Sequence, residues 1–279
     1  MTILDVEGQS RTTLGIIAGG GELPRAIADS ARAQGRDVFV VALERAGDWT
    51  GDYPHDRSSM GLVGKTLGLL RGHGCREVVF AGYVSRPNFF ELRYDRKGLT
   101  WLPSVLWAMR KGDNTLLDAM VGLFEREGLR IIGVADIAPW LQVGEGPLGR
   151  VTPTGADAAD IAVAVEAARA QGTRDIGQAV VVRDGRVIAI EDKGGTDAML
   201  TRLGKLPPGR GVLAKALKPI QDRKTDLPTI GVATVTNAAA CGLAGIVIEA
   251  HTALVLGKQA VADAADAAGL FVLAVPARA

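Results

Sequence analysis

Residues 13–43 read TLGIIAGGGELPRAIADSARAQGRDVFVVAL, and this stretch decides the fold class. Its start, 13–18, is a short apolar run that ends in Gly19, Gly20 and Gly21. An unbroken apolar run closed by glycine is the pattern of a parallel strand buried on both faces. Leu23, Ile27, Ala28 and Ala31 then recur at helical spacing until Gly35, so 23–34 is predicted as a helix. Residues 37–43 (DVFVVAL) return to the strand pattern. Strand, helix, strand in that order makes a right-handed βαβ unit, and such units build parallel sheets.

The same alternation continues outward. The spacing predicts a helix over 60–71, a strand over 77–81, helices over 103–110 and 114–127, and a strand over 130–134. Residues 136–152 are rich in Gly and Pro and have no period, which places a domain boundary near Leu148. The chain thus divides into an N-terminal parallel-sheet domain, 1–147, and a C-terminal α/β domain, 148–279. The second half opens with a helix over 157–170, for which Thr154 is the predicted N-cap. Asp184-Gly185 between QAVVVR (178–183) and RVIAI (186–190) predicts a hairpin with a tight primed turn. Strands over 211–217, 245–249 and 270–275, with helices over 237–241 and 258–268, complete a mixed sheet.

Bulk properties narrow the function. The chain has 279 residues, enough for two ordinary domains, and 47% of them are apolar, enough for a core in each. With 23% charged residues and a net charge of +1, neither disorder nor nucleic-acid binding is expected, and no dense Lys/Arg run appears. Cys75 and Cys241 lack any metal-ligand spacing and are read as small buried residues in a reducing compartment. The first eleven residues are polar and carry Asp5 and Glu7, unlike a signal peptide, and no stretch approaches the roughly 18 apolar residues of a membrane span. A cytoplasmic location is expected, which leaves room for a lipid substrate taken from a membrane surface.

Five segments hold residues suited to phosphate chemistry. Ala18-Gly19-Gly20-Gly21-Glu22-Leu23 joins a strand to a helix, where glycines let backbone approach a ligand and the helix N-terminus offers N–H groups to an anion. Gly82-Tyr83-Val84-Ser85-Arg86 follows another strand, and Arg86 can grip phosphate with two parallel hydrogen bonds. Lys111-Gly112-Asp113-Asn114 precedes a helix, which gives Asp113 a capping reading beside the ligand-binding one. Gly194-Gly195-Thr196-Asp197 suits a sugar or phosphate contact and equally a loop with a cap. The densest segment, 215–229, holds Lys215, Lys218, Pro219, Gln221, Asp222, Arg223 and Asp226. Its cations can neutralise phosphate oxygens and its carboxylates can hold Mg²⁺; the plain alternative is a solvated charged loop. Scattered histidines, a first glycine loop (19–24) that is not GxGxxG, no Walker A motif and no GxSxG elbow argue against a His-built di-metal site, a dinucleotide fold, a P-loop and an α/β-hydrolase.

Taken in order, IIAGGGELP, GYVSRP, KGDN, GTDAML and the Lys215–Gly231 stretch resemble the LpxI-type UDP-2,3-diacylglucosamine pyrophosphatases of lipid A biosynthesis, from about residue 13 to 275. The resemblance implies a Rossmann-like N-terminal domain, a separate C-terminal catalytic domain, a lipid bound between them and a homodimer. It also implies contact with the inner membrane surface, and Mg²⁺-assisted hydrolysis to UMP and 2,3-diacylglucosamine 1-phosphate. It makes Asp222 and Asp226 the catalytic and metal-binding carboxylates, in either assignment, with Lys215, Lys218 and Arg223 on the phosphates. Substrate contacts are then expected from Ala18, Gly19, Gly20, Gly21, Leu23, Gly82, Tyr83, Arg86, Lys111, Asp113, Thr196, Asp197, Pro219 and Gln221.

The family reads PDTV or close to it after DLPTIG; this chain reads Val232-Ala233-Thr234-Val235. Ala233 stands where an Asp is typical, and both natural drift and a deliberate substitution fit. A missing acid would leave a chain that binds substrate and barely hydrolyses it. Two other readings remain at this level. One is a nucleotide-dependent oxidoreductase using the N-terminal half; the other is a non-catalytic binder of a nucleotide-sugar lipid.

Overall fold

The structure, a computed structural model, describes residues 13–44, 46–84, 91–111, 113–172, 177–192, 194–207, 211–217 and 227–277, without the side chains of 111, 113 and 114. The chain divides into two compact units, Met1–Lys111 with Leu116–Ala138, and Gly112–Thr115 with Pro139–Ala279.

In the first unit the opening stretch forms the expected βαβ: β1 (Leu14–Ala18), α1 (Leu23–Ala33) and β2 (Val38–Ala42). Every residue of both strands is buried, which is why they read as unbroken apolar runs. Next come β3 (His55–Arg57), α2 (Val63–Gly72), β4 (Glu77–Ala81), α3 (Arg96–Lys111), α4 (Asp113–Arg126), β5 (Arg130–Ile131) and a one-turn α5 (Val134–Ile137). The strands pair in parallel in the order β3-β2-β1-β4-β5. Phe39, Val41, Leu67, Leu70, Val78, Trp101 and Phe124 fill a core against this sheet.

Three details depart from the sequence reading. β3 is a polar edge strand (His-Asp-Arg) with no apolar signal. The fourth predicted strand shortens to two residues because Gly133 starts α5 with its N–H bonded to the Asp136 carboxylate at 2.9 Å. Finally, α3 begins at Arg96, not at residue 103, and carries Pro103 in its interior. Asp95 explains the early start: its Oδ1 accepts the Gly98 N–H at 2.7 Å, an N-terminal cap placed ahead of the predicted one.

The second unit runs β6 (Gly146–Pro147), α6 (Asp157–Gly172), β7 (Ala179–Arg183), β8 (Arg186–Ile190), α7 (Gly195–Leu203), β9 (Val212–Lys215), β10 (Thr229–Ile230), α8 (Val232–Ala240), β11 (Gly245–Glu249), β12 (Leu254–Val255), α9 (Lys258–Ala268) and β13 (Phe271–Val275). Its main sheet is mixed, in the order β6-β13-β11-β9-β7-β8, and β10 pairs with β12 apart from it. Strands β9, β11 and β13 are mutually parallel, while β6, β7 and β8 run antiparallel to their neighbours. Alternate strand residues face two cores. Val181, Leu213, Ile246 and Val272 meet Met199, Val235 and Val261 of α7, α8 and α9. Val180, Val212, Val247 and Phe271 meet Ala164 and Ala168 of α6. This is helices on both faces of one sheet.

The predicted hairpin turn is present, with Asp184 at φ +51° and Gly185 at φ +70°. The buried Asp160 of α6 holds it by accepting the Asp184 and Gly185 N–H groups at 3.1 and 2.6 Å. At the predicted cap of α6, Thr154 pairs with Asp157 in the reach-back half of a capping box. Its N–H and hydroxyl donate to the Asp157 carboxylate at 2.8 and 2.7 Å, at the start of the helix. Both cysteines are buried; burial pushes the Cys75 thiol up to about 11 and raises that of Cys241, so neither is a ready nucleophile.

Candidate active site

The first sheet reverses its strand order between β1 and β4, and ligands of open α/β sheets sit at the carboxyl ends of such neighbouring strands. Both ends carry glycine, and the two loops are stitched together. Gly19 N–H donates to the Ala81 carbonyl at 2.8 Å, Gly20 N–H to that of Tyr83 at 2.8 Å, and Tyr83 N–H returns to Gly20 at 3.0 Å. The glycines are there for this approach. A Cβ on Gly19 would lie 2.4 Å from the Tyr83 carbonyl oxygen, and one on Gly20 would lie 2.6 Å from Tyr83 Cζ. Because the Gly19 and Gly20 amides already have carbonyl partners, they do not serve a pyrophosphate as a dinucleotide cradle would, which counts against the oxidoreductase reading. The loop shows instead the exposed Tyr83 ring, over Gly20 and Gly21.

Gly82 is the sharpest constraint. It has φ +84°, and a Cβ there would fall 2.4 Å from the Gly20 carbonyl oxygen. Gly82→Ala is expected to destabilise the first unit by about 2 kcal/mol or more, from left-handed strain with a backbone clash added. Urea denaturation checks this; an unchanged midpoint would mean the two loops are not held as described. Of the other predicted residues here, Ala18 ends β1 and its carbonyl accepts the Leu43 N–H at 2.9 Å, and Leu23 opens α1. Arg86 and the side chains of Lys111 and Asp113 lie outside the described residues.

In the second unit Lys215, Glu191 and Glu249 lie at one end of the main sheet. Lys215 ends β9, where it stands opposite Ala179 of β7 and Ile248 of β11. It is buried, and its Nζ donates to the Thr229 carbonyl at 3.0 Å, tying the start of β10 to the end of β9. Lys218, Pro219, Gln221, Asp222, Arg223 and Asp226 fall between these strands and outside the described residues. Thr196 and Asp197 occupy the first turn of α7, a helix where the sequence suggested a loop. The Thr196 hydroxyl donates to Glu191 at 3.0 Å, and Asn237 Nδ2 donates to Asp197 at 2.8 Å, which joins α7 to α8. Before this turn, the Gly194 amide and then the Arg202 guanidinium hold the Asp192 carboxyl below its usual range. Ala233 is exposed in the first turn of α8, a turn that holds no acidic residue.

Three residues of this edge were not read from the sequence. Glu249, 4% exposed, ends β11; its Oε1 takes the Arg169 Nε at 2.7 Å and its Oε2 the Leu217 N–H at 3.0 Å. Arg169 also reaches Glu166 and the Pro276 carbonyl at 3.0 Å each. Burial opposes its charge, yet the two carboxylates keep its pKa raised. Glu191 accepts the Gln178 N–H at 2.9 Å besides the Thr196 hydroxyl. The available signal was a lone acid at the end of an apolar strand: GIVIE for Glu249, RVIAIE for Glu191. Truncating one member of a buried pair strands the other, so Glu249→Ala is expected to cost about 3 kcal/mol, read as a lowered denaturation midpoint. A change below about 0.5 kcal/mol would show the Arg169 pair to be solvated, like a surface ion pair.

Among the described residues no three of His, Cys, Asp and Glu come together to hold a metal. Glu191 and Glu249 are engaged by N–H, hydroxyl and guanidinium donors. These residues alone do not fit Mg²⁺, which asks for several free hard oxygens in an octahedron.

Comparison with known proteins joins the two halves. Residues 13–141 match the LpxI N-terminal domain and residues 144–273 the LpxI C-terminal domain. The chain is 48% identical over 271 residues to the UDP-2,3-diacylglucosamine pyrophosphatase LpxI of Caulobacter vibrioides, covering 94% of this chain and 97% of that protein. With likeness of that depth running through both units, the chain belongs to the LpxI family.

Proposed function

We propose that this LpxI-family hydrolase cleaves UDP-2,3-diacylglucosamine at the α-phosphorus, giving UMP and 2,3-diacylglucosamine 1-phosphate, at a rate held down by Ala233. The observation that carries the reading is the near full-length likeness to a relative named for that substrate. The buried, hydrogen-bonded Lys215 at the sheet edge supports it, as a cation suited to a diphosphate.

Water attacks the α-phosphorus, the bond to the bridging oxygen breaks, and that oxygen leaves with the sugar phosphate. Charge grows on the non-bridging and bridging oxygens as this happens. A lysine at a water-poor sheet edge stabilises such charge more than a solvated one does, since the local dielectric is low. Asp222 and Asp226 are proposed as the carboxylates that orient the water and hold Mg²⁺. The ion, when bound, adds charge neutralisation on the phosphate oxygens. The Gly19–Gly21 turn with Tyr83, and Thr196 with Asp197, are proposed as substrate contacts.

The test is mass spectrometry of lipid extracted from the purified protein, with an assay of UMP release in Mg²⁺ and in EDTA. A diacylated glucosamine species and metal-dependent UMP release are expected. Tight NAD(H) binding with no UMP release, even in the Ala233→Asp chain, would overturn the reading.

A further inference from the structure

Helix α3 carries tryptophans on two sides. Trp101 is 5% exposed and stands edge-on to Phe124, with ring centroids 5.2 Å apart, inside the core of the first unit. Trp107 is 58% exposed, beside Leu99 at 55% and Leu106 at 41%. At about 3.6 residues per turn, Arg96, Leu99, Pro103, Leu106, Trp107 and Arg110 fall in one stripe, and all six are exposed. A single exposed leucine needs no explanation, but an apolar stripe on a helix whose other face already fills a core does.

The charge of the helix indicates what covers the stripe. Residues 96–111 include Arg96, Lys97, Arg110 and Lys111 and no Asp or Glu. Lys97 pairs with Glu127 at the side of the helix, while Arg96 and Arg110 stand at the two ends of the stripe. We propose that this outer face of α3 docks on an anionic phospholipid bilayer. Trp107, Leu106 and Leu99 enter the boundary between headgroups and acyl chains, and the two arginines meet lipid phosphates. A two-fold contact between copies through this stripe would set its like charges against themselves, whereas an anionic bilayer supplies the opposite sign. The inference deepens the function proposed above, because a diacylated sugar is delivered from a bilayer, and it is tested without that substrate.

The experiment is co-sedimentation of the full chain with phosphatidylcholine vesicles containing or lacking phosphatidylglycerol. Binding is expected only where phosphatidylglycerol is present, and it should weaken with salt. The exposed-site double variants Leu106→Glu with Trp107→Glu, and Arg96→Glu with Arg110→Glu, should each lower partitioning by roughly tenfold or more with an unchanged circular dichroism spectrum. Their hydrolysis of detergent-dispersed substrate should match the parent chain. No sedimentation of the parent chain overturns the proposal, as do variants that partition like it. So does a change in self-association by analytical ultracentrifugation without a change in vesicle binding, which would assign the stripe to a second copy. Vesicle binding is read with no substrate present, so a failure of the hydrolysis reading shows separately, in the UMP assay.

Discussion

Ala233→Asp is expected to raise Mg²⁺-dependent UMP release by about 100- to 10,000-fold, the range a positioned acid or base contributes. Position 233 lies in the first turn of α8, one helical turn before Asn237, so the two share a face. Asn237 is bonded to Asp197 of α7, which turns that face toward the α7 N-terminus and the predicted substrate contacts Thr196 and Asp197. The same turn follows β10, whose Thr229 carbonyl holds Lys215. A carboxylate added at 233 therefore stands in the helical turn that follows the strand held by this buried cation. The first turn of α8 has no acid of its own, so the substitution should also stabilise the helix by roughly 0.3–1 kcal/mol through its dipole. That gives a control for folding which is independent of turnover. Ala233→Asn supplies the polar shape without the charge and should restore little activity. If Ala233→Asp folds, shows its small gain in melting temperature and releases UMP no faster, position 233 has no part in the reaction.

Much of the fold was legible because burial on both faces leaves an apolar run that needs no period. β1, β2, β4, β7, β9, β11 and β13 all carry such runs, and all were read. What was missed has local causes. β3 pairs along one side only and reads His-Asp-Arg, so it lacks the burial that would mark it. Pro103 looks like a helix start because proline is favoured in a first turn, and only the Asp95 cap shows that α3 had begun earlier. The start of α8, Val-Ala-Thr-Val-Thr, favours strand by local propensity. It is helical because Val235 and Ala238 fill the core beside α9.

The candidate site was legible in a different measure. Lys215 and the Thr196–Asp197 turn stand out as charged or polar residues next to glycine or at the end of an apolar run, and the second unit places them at one sheet edge or against its neighbours. Arg169 and Glu249 are 80 residues apart in sequence, and their pairing depends on α6 crossing the sheet. No spacing rule joins such residues. Their effect reaches the predicted site, since Glu249 fixes the Leu217 amide immediately before Lys218. On the far side, Lys215 fixes Thr229. The segment with the predicted carboxylates thus departs from one buried charge and returns to another.

That anchoring is the physical ground for the second large effect. In the Ala233→Asp chain, Asp226→Ala is expected to lower kcat for UMP release by about 1,000-fold or more, with KM changed only a few fold. Asp226 directly precedes the buried Leu227 and stands three residues before Thr229, so the backbone links it to the hydrogen bond made by Lys215. A carboxylate that orients the attacking water or holds Mg²⁺ acts on charge that develops in the transition state, and binding at the substrate contacts proposed above should survive its loss. A group that only gripped substrate would raise KM and leave kcat alone. Asp226→Asn retains size and polarity but cannot take a proton, so it should be nearly as inactive as Asp226→Ala. The same pair of substitutions at Asp222 separates the two acids: the one that binds Mg²⁺ shifts the Mg²⁺ concentration needed for half-maximal rate, and the one that orients water does not. An unchanged kcat in both Asp222→Ala and Asp226→Ala would remove the chemistry from this segment.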